Sequence, residues 1–485
     1  MKLLEDIKSR LHKNGVDVIN VDYYDIIDVW NSWYNGNVDD FHYYNVKIAD
    51  GSTAEFERKT MSMAKKGAED MMKLLWSNKC DIKLGSDEKT KQLWNVLDSK
   101  QNNFTIMFPQ MIELAMALGT TAMTEYKDAM GRTRIEYINN AKCILPFAYD
   151  NFNITGFIVC NQWQEVEGKK VWYFTHLIYH EFKPEKDTKT GEYKQIYRKY
   201  NEVYKSKQPN ELGKEVDFNT IFPDVEELVE EVTDTPHFQI IKPPLANNLD
   251  IGTPMGLSIF GNSIDKLKAI DNKYDSFDME FVDGRRKILV DRTALKGMPQ
   301  VDQEGNISQQ LYFDRNDRTF VAMNGMKEQP VKDISFDLRY QEHIDSINAE
   351  LNWYSASLGF GESFYKFDGN GQATATEILS QDDDAFRTKQ TYEAVIKDVL
   401  IDLVKAVCYL EGIELSENEI QVEFDYSRFE NQEKTQLRLE REVSNGITSK
   451  VEYRMKVYGE TEEIAKQKIA EIKENEPKVE DLIGE

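Results

Sequence analysis

Apolar residues recur at helical spacing in three long stretches of the chain. Between 261 and 281 they follow one another at intervals of three or four residues, at Ile264, Leu267, Ile270, Tyr274, Phe277 and Phe281. A similar stretch runs from Gln341 to Leu358, and a third runs from Thr374 to about Leu410, opening with the capping-box spacing of Thr374 and Glu377. Because intervals of three and four place side chains on one helix face, the pattern predicts three long helices.

Shorter stretches of the same kind occur at both ends of the chain. The spacing predicts helices over Met1–Asn14, Arg58–Trp76 and about Asp87–Leu118, the last with a bend or break at Pro109. Near the C-terminus it predicts helices from about Asn431 to Val443, after the Ser449–Glu452 capping-box pair, and from near Thr461.

Strict alternation replaces helical spacing between Thr120 and Tyr204. Runs such as ITGFIVCNQW and KVWYFTHLIYHEF predict an antiparallel sheet connected by hairpins. Residues 211–234, with nine acidic residues and one Lys, are interpreted as a solvated loop or short helix. Short β-like runs fill 285–339, and IQVEFDY at 420–426 predicts one more strand. The chain is therefore predicted to be α+β, with two helices of similar length on either side of a small β module.

Composition limits the classes of function. The 485 residues include 60 Lys and Arg against 85 Asp and Glu, a formal charge of −25, which disfavours a protein with a broad basic face for nucleic acid. Residues 284–340 depart from this sign, with ten basic and eight acidic residues. That excess of +2 either is compositional noise or marks a docking or DNA-proximal surface. The length predicts two to four domains or one elongated subunit.

Targeting and redox signals are few. Four cysteines without CxxC spacing indicate a reducing compartment. Glu5 and Asp6 interrupt any apolar signal segment, and no run approaches the roughly 18 apolar residues of a membrane span, so we expect a soluble protein made in a cytoplasm.

The sequence contains few motifs that indicate metal binding, nucleotide binding or catalysis. His176 and His180 have metal-ligand spacing, but the alternating sequence predicts a strand, on which the two residues stand about 13 Å apart. The Gly-rich segment 359–371 matches neither GxxxxGK[ST] nor GxGxxG and is typical of a mobile loop. Residues 382–384 (Asp-Asp-Asp) are interpreted as a solvated helix face, with metal binding as the alternative.

Several stretches, taken in order, resemble the portal (head–tail connector) proteins of tailed bacteriophages, in particular those of siphovirus- and myovirus-like phages of Gram-positive bacteria. They are TPMGLSIFGNSIDKLKAIDNKYDSFDMEF (253–281), TATEILSQDDDAFRTKQTYEAVIKDVL (374–400) and GITSKVEYRMKVYGETEEIAKQKI (446–469), with a weaker match in AMALGTTAMTEYKD (115–128). These are packing motifs rather than catalytic signatures.

The resemblance implies a division of the chain into the parts of a portal subunit. These are a wing (1–260), a first stem helix (261–283), a clip (284–340), a second stem helix (341–358), a tunnel loop (359–373), a long wing or tunnel helix (374–411), a wing strand (412–429) and a small crown (430–485). Tunnel-loop residues that would touch DNA are Phe364, Tyr365, Lys366, Asn370 and Gln372. For Phe364 and Tyr365 the alternative is that they pack the base of the loop. Clip residues that would dock partners are Arg285, Arg286, Lys287, Arg292, Arg315 and Arg318.

The resemblance also implies a function and a set of partners. Twelve copies would form a ring at the capsid vertex, assembled in the host cytoplasm, through which double-stranded DNA is packaged and ejected. The partners would be the terminase large subunit, the head–tail adaptor, and the major capsid and scaffolding proteins; no cofactor, metal, membrane or catalytic residue is expected. The alternatives are a carboxylate-dependent hydrolase with aromatic platforms in the 120–204 sheet, and a virion structural protein without a channel.

Overall fold

A computed structural model gives the fold. It describes residues 2–13, 16, 18, 20–47, 51–186, 191–284, 288–291, 297–301, 307–311, 320–323, 331–333, 337–367, 375–416, 419–425, 439–458 and 461–474. The chain divides into two compact units, Met1–Glu423 and Phe424–Glu485. No helix in these ranges is both long and apolar enough to cross a membrane.

Helices of the first unit include the long ones that the periodicity predicts. They are α1 (Lys2–Lys13), α2 (Tyr23–Tyr34), α3 (Met63–Leu75), α4 (Asp87–Leu97), α5 (Phe104–Leu118), α6 (Phe218–Ile221), α7 (Ile264–Asp283), α8 (Tyr340–Ser357) and α9 (Ala375–Glu411). Both α7 and α8 lie within three residues of their predicted bounds. The Thr374 cap predicted for α9 lies outside the described residues.

Two helix predictions need correction. The break in the 87–118 stretch falls at 98–103 and not at Pro109, which lies inside α5. Asn103 takes a left-handed conformation there (φ 46°), and the Asp98 carboxylate accepts a hydrogen bond from the Thr105 amide at 2.9 Å, which begins the new helix. Residues 58–62, predicted to be helical, precede α3, because their backbone amides bind carboxylates of α7 instead.

The 120–204 stretch forms antiparallel strands as predicted, but they belong to two sheets and not to one. Its strands are β4 (Thr121–Lys127), β5 (Thr133–Ile138), β6 (Ile144–Asp150), β7 (Asn153–Glu167), β8 (Lys170–Lys186) and β9 (Tyr193–Ser206). One sheet has the order β10-β9-β8-β7-β6, where β10 is Lys214–Val216. A second has the order β12-β4-β5, where β12 is Phe238–Ile241. Helix α5, whose Phe104, Phe108 and Met111 are fully buried, contacts β4.

The acidic 211–234 segment was wrongly interpreted as loop or short helix alone. It contains β10 (Lys214–Val216) and β11 (Leu228–Val232), which both pair with β9 on either side of α6. Strand β9 has 14 residues, so the edge that does not pair with β8 is long enough to pair with two short strands, one after the other. Arg198 of β9 also binds Glu230 of β11 at 2.7 Å, which offsets the local acidity.

The remaining strands are short. They are β1 (Tyr43–Lys47), β2 (Thr53–Glu57), β3 (Asp81–Lys83), β13 (Ile288–Asp291), β14 (Gly297–Val301), β15 (Ile307–Leu311), β16 (Phe320–Met323), β17 (Val331–Asp333) and β18 (Gln421–Glu423). Strands β13 to β17 lie in the predicted β module, where β13 pairs in parallel with β16 and antiparallel with β17.

The described part of the second unit contains helices, as predicted. Residues 439–444 are helical and are followed by α10 (Lys450–Tyr458) and α11 (Glu462–Glu474). The predicted capping box is present: the Ser449 amide donates to the Glu452 carboxylate at 3.0 Å, and the Glu452 amide donates to the Ser449 hydroxyl at 3.1 Å. Residues 431–438 lie outside the described part of the chain.

Candidate functional site

Helices α7 and α8 form an antiparallel pair whose register is fixed by polar contacts along its length. At one end the hydroxyls of Ser263 and Ser357 are 2.8 Å apart. In the middle the Lys273 ammonium donates to the Glu350 carboxylate at 2.6 Å. At the other end the guanidinium of Arg339 donates to Glu280 at 2.7 Å, and this hydrogen bond lowers the pKa of Glu280 to about 2. The pair therefore forms a hairpin, and residues 284–339 connect its two helices along the chain.

Asp271 fastens α7 to the N-terminal region. The Val38 amide donates to Nδ1 of His42, so the imidazole proton lies on Nε2 and is donated to the Asp271 carboxylate at 3.0 Å. The other Asp271 oxygen accepts a hydrogen bond from the Met61 amide at 2.9 Å. One turn along the helix, Asp275 accepts from the Lys59 amide at 3.1 Å. Both His42 and Asp271 are buried, so α7 is held at a defined place on the rest of the first unit.

Tyr354 fastens α8 to α3. Its hydroxyl is buried and donates to the Met63 carbonyl at 2.9 Å, and burial raises the pKa of this phenol. The helices approach closely at Gly67, where an added Cβ would lie 2.6 Å from the Tyr354 hydroxyl oxygen. Glycine is therefore required at this crossing.

The Gly-rich segment turns back along α8. The Ser363 amide donates to the Asn352 side-chain oxygen at 3.1 Å, and the Phe367 amide donates to the Asn348 side-chain oxygen at 2.8 Å. Because Asn348 and Asn352 are one helical turn apart, they bind the segment at two successive points. Phe367 also packs against Phe277 of α7, with ring centroids 5.4 Å apart.

The five predicted loop residues occupy different environments. Tyr365 is buried and stacks on Tyr354 at 6.1 Å, and Phe364 stacks on Phe360 at 4.5 Å. Both aromatic residues therefore pack the base of the loop, which is the alternative to DNA contact. Lys366 is exposed. Asn370 and Gln372 lie outside the described residues.

Helix α9 holds the other side of the same segment. The Thr388 hydroxyl donates to the Gly359 carbonyl at 2.6 Å. Gly359 has φ +82°, and a Cβ there would lie 2.5 Å from the Thr388 hydroxyl oxygen, so glycine is required where the chain leaves α8. Further along α9, the buried Lys389 pairs with Glu393 and donates to the Leu74 carbonyl of α3 at 2.9 Å. The loop therefore starts from a rigid base made by α3, α8 and α9.

The six predicted clip residues cannot be located in the same way. Arg285, Arg286, Lys287, Arg292, Arg315 and Arg318 all lie outside the described residues. The strands of the module that are described, β13 to β17, connect the C-terminal end of α7 to the N-terminal end of α8.

The two histidines at metal-ligand spacing lie on β8 and bind separate partners. His176 lies 3.0 Å from the Asn201 side-chain oxygen, and Nδ1 of His180 lies 2.8 Å from the Tyr197 hydroxyl. Burial lowers the pKa of both imidazoles. Within the described ranges, no group of three or more His, Cys, Asp or Glu side chains could hold a metal ion.

Sequence reasoning missed a buried polar cluster under α9. Glu125 on β4 is 1% exposed and accepts a hydrogen bond from the Gln239 amide at 3.0 Å. Burial raises the pKa of Glu125 to about 8, and it lowers the pKa of the neighbouring His237 to about 4. An acidic residue in an alternating strand is ordinarily assigned to the solvent face, so no signal in the sequence marks Glu125 as buried.

Solved structures similar to this chain include two from gene transfer agent particles. A chain in the virion of a native gene transfer agent particle is 11% identical, over 81% of this chain and 88% of that chain, with a TM-score of 0.40. A chain in the neck of an empty particle of the same kind, computed with C6 symmetry, is 10% identical over the same shares, also with a TM-score of 0.40. No curated protein sequence matches this chain.

The family comparison covers almost the whole sequence. The family described as "Phage portal protein, SPP1 Gp6-like" matches residues 19–479, from the N-terminal helices to the helices of the second unit. This family is structural rather than enzymatic. The chain belongs to the phage portal protein family.

Proposed function

We propose that twelve copies of this chain form a ring at the capsid vertex, with a central channel through which double-stranded DNA is packaged and later ejected. The observation that carries the proposal is the family match over residues 19–479. The rigid α7–α8 hairpin supports it, because helices held in a fixed register can stand side by side around a closed ring.

We assign the parts of the subunit as the resemblance implies. Residues 1–260 form the wing, 261–283 and 341–358 the stem helices, 284–340 the clip and 359–373 the tunnel loop. Residues 374–411 form the long helix behind the loop, 412–429 the last wing strand and 430–485 the crown. The anchoring of α7 through Asp271 and of α8 through Tyr354 supports a stem that is firmly joined to the wing.

The loop residues take two separate roles in this proposal. Phe364 and Tyr365 set the position of the loop by packing its base, and Lys366, Asn370 and Gln372 touch DNA transiently. A cationic side chain on a loop, surrounded by an acidic subunit, would contact phosphates without holding them. The formal charge of −25 on each copy suits a channel in which DNA has to remain mobile.

The clip is proposed as the docking surface outside the capsid. Its basic residues Arg285, Arg286, Lys287, Arg292, Arg315 and Arg318 would bind the terminase large subunit during packaging and the head–tail adaptor afterwards. The major capsid and scaffolding proteins would surround the wing. Hydrolysis of ATP would belong to the terminase, and assembly would take place in the host cytoplasm.

Imaging of the purified full-length chain by negative-stain electron microscopy tests the ring. We expect end-on views with twelve-fold symmetry and a central hole, together with a mass by light scattering close to twelve times that of one chain. A compact monomer at micromolar concentration in both measurements would contradict the proposal. Rings without a hole would favour a virion protein that has no channel.

A further inference from the structure

Trp353 is exposed on a helix that is otherwise well packed. On α8, Ile347, Leu351 and Tyr354 are buried, whereas 66% of the Trp353 surface is accessible. Its neighbours on the same face, Ala349 and Ala356, are also exposed, so the indole projects from a flat surface. Large aromatic side chains that project in this way are enriched at the centres of protein interfaces.

The exposed face of α7 is a second and different surface. It contains Lys268, Asn272 and Ser276 at intervals of four residues, on the side of the helix opposite Ile270, which is buried. Contacts between the two helices fix the heights along the hairpin, because Ser263 contacts Ser357 at one end and the Arg339 amide donates to the Glu280 carboxylate at the other. Lys268 is five residues along the chain from Ser263, and Trp353 is four residues from Ser357. The two residues therefore stand at the same height on different faces.

A closed ring brings two different surfaces of neighbouring copies together, and rotation about the ring axis leaves heights unchanged. We propose that Trp353 of each copy packs on the α7 face of the adjacent copy, with its indole against the Lys268 side chain. This inference rests on the proposed ring and on a stem hairpin that runs along the ring axis. A lysine ammonium over an indole face is a favourable cation–π arrangement, and the lysine methylenes cover the ring.

Charge favours a second copy over DNA as the occupant of this face. Glu342 and Asp345 are exposed on the same side of α8 as Trp353, so the face is acidic and would repel phosphates. The α7 face brings a cation to the height of Trp353, and it brings the uncharged Asn272 and Ser276 to the heights of Ala349 and Asp345. Small and polar residues on one helix thus meet small and acidic residues on the other.

Disulfide cross-linking in the assembled full-length protein tests the contact. The variant Trp353→Cys with Lys268→Cys should give, on oxidation, a non-reducing ladder of covalent oligomers up to the size of the ring. The matched control is Trp353→Cys with Ser276→Cys, because Ser276 is about 12 Å further along α7 and should not cross-link. Each single cysteine variant controls for reaction with the four native thiols.

Dissociation of the ring gives an independent measurement. Trp353→Ala should raise the concentration at which rings fall apart by at least tenfold in mass photometry, whereas Tyr193→Ala, which removes a 71%-exposed aromatic residue from the wing sheet, should not change it. Far-ultraviolet circular dichroism checks that the variant subunits are folded. The inference would be overturned if the Trp353→Cys, Lys268→Cys variant forms normal rings but gives no ladder on oxidation, or if Trp353 cross-links to bound DNA. Either result would leave the proposed ring in place. Absence of rings from the wild-type protein would instead overturn the proposed function.

Discussion

Glu125 is buried, although glutamate side chains are usually exposed. Its carboxyl group lies on the central strand of the β12-β4-β5 sheet, next to α9, and its pKa of about 8 keeps it largely protonated at neutral pH. A protonated carboxyl is much less costly to bury than a carboxylate, which explains how the site is tolerated.

Glu125→Gln should stabilise the subunit in a pH-dependent way. In the folded chain Glu125 keeps its proton up to a pH of about 8, but in the unfolded chain it loses it near 4.5. The folded state therefore binds more protons between these values, and its stability falls as the pH rises. Glutamine does not ionise, so the variant should gain about 4–5 kcal/mol at pH 8.5 and almost nothing at pH 4.

Urea denaturation across this pH range measures the effect. Glu55→Gln, which changes an exposed carboxylate on β2, is the matched control and should show no comparable trend. A constant difference between Glu125→Gln and the wild type at all pH values would show that the carboxyl is not protonated in the fold.

At the scale of elements, the close crossing of α3 and α8 depends on the absence of a side chain at Gly67. Replacing a helical glycine by alanine ordinarily stabilises a protein by about 0.5–1 kcal/mol. At Gly67 the added Cβ would lie 2.6 Å from the Tyr354 hydroxyl oxygen and 2.9 Å from Leu358 Cδ1, so overpacking of about 1–3 kcal/mol should exceed that gain. We expect Gly67→Ala to be destabilising.

The same substitution in a Tyr354→Phe background tests whether the hydroxyl of Tyr354 causes the loss of stability. Removing the hydroxyl relieves the closer of the two contacts, so Gly67→Ala should cost less there than in the wild type, as measured by a double-mutant cycle in urea. If the alanine variant is more stable than the wild type in both backgrounds, the helices do not approach each other as closely as described.

The proposed tunnel loop (359–373) contains two groups of residues, which differ in what they contact. Phe364, Tyr365 and Phe367 pack against α7, α8 or the loop itself, so removing them would disturb the base of the loop. Deleting 368–373 leaves this packing in place. We expect rings of normal appearance from this variant but impaired packaging, measured as the length of DNA recovered from phage particles that carry it. Full-length DNA in normal yield would contradict a role for the loop in packaging.

At the scale of the whole molecule, the positive module 284–340 stands out against a charge of −25. Changing Arg285, Arg286 and Arg318 together to Glu should leave the ring intact, because the stem contacts are elsewhere, but should prevent docking of the motor or the adaptor. Co-sedimentation of purified rings with each partner measures this. A matched triple reversal to Glu of Lys47, Lys170 and Lys214, which are exposed residues of the first unit, should leave docking normal. Normal docking of the clip variant would refute the assignment.

What the sequence predicted well is local in origin. Helices α7, α8 and α9 follow from intervals of three and four because a helix is built from neighbours in sequence, and the Ser449–Glu452 cap follows from residues three apart. The alternating strands from 120 to 204 are likewise joined by short turns. Local patterns of this kind, in a recognisable order, also made the resemblance to portal proteins visible.

Only the tertiary structure decided which distant residues meet. Residues 58–62 are not helical because Asp271 and Asp275, more than 200 positions away, accept hydrogen bonds from the Met61 and Lys59 amides. Strand β18 pairs with β3 across an even longer separation. The burial of Glu125 and the need for glycine at 67 likewise depend on helices that pack from elsewhere in the chain. Spacing in the sequence predicts which residues share one face of a helix or strand. Which element packs against that face depends on the fold of the whole subunit, because desolvation and steric contact involve residues that are distant in sequence.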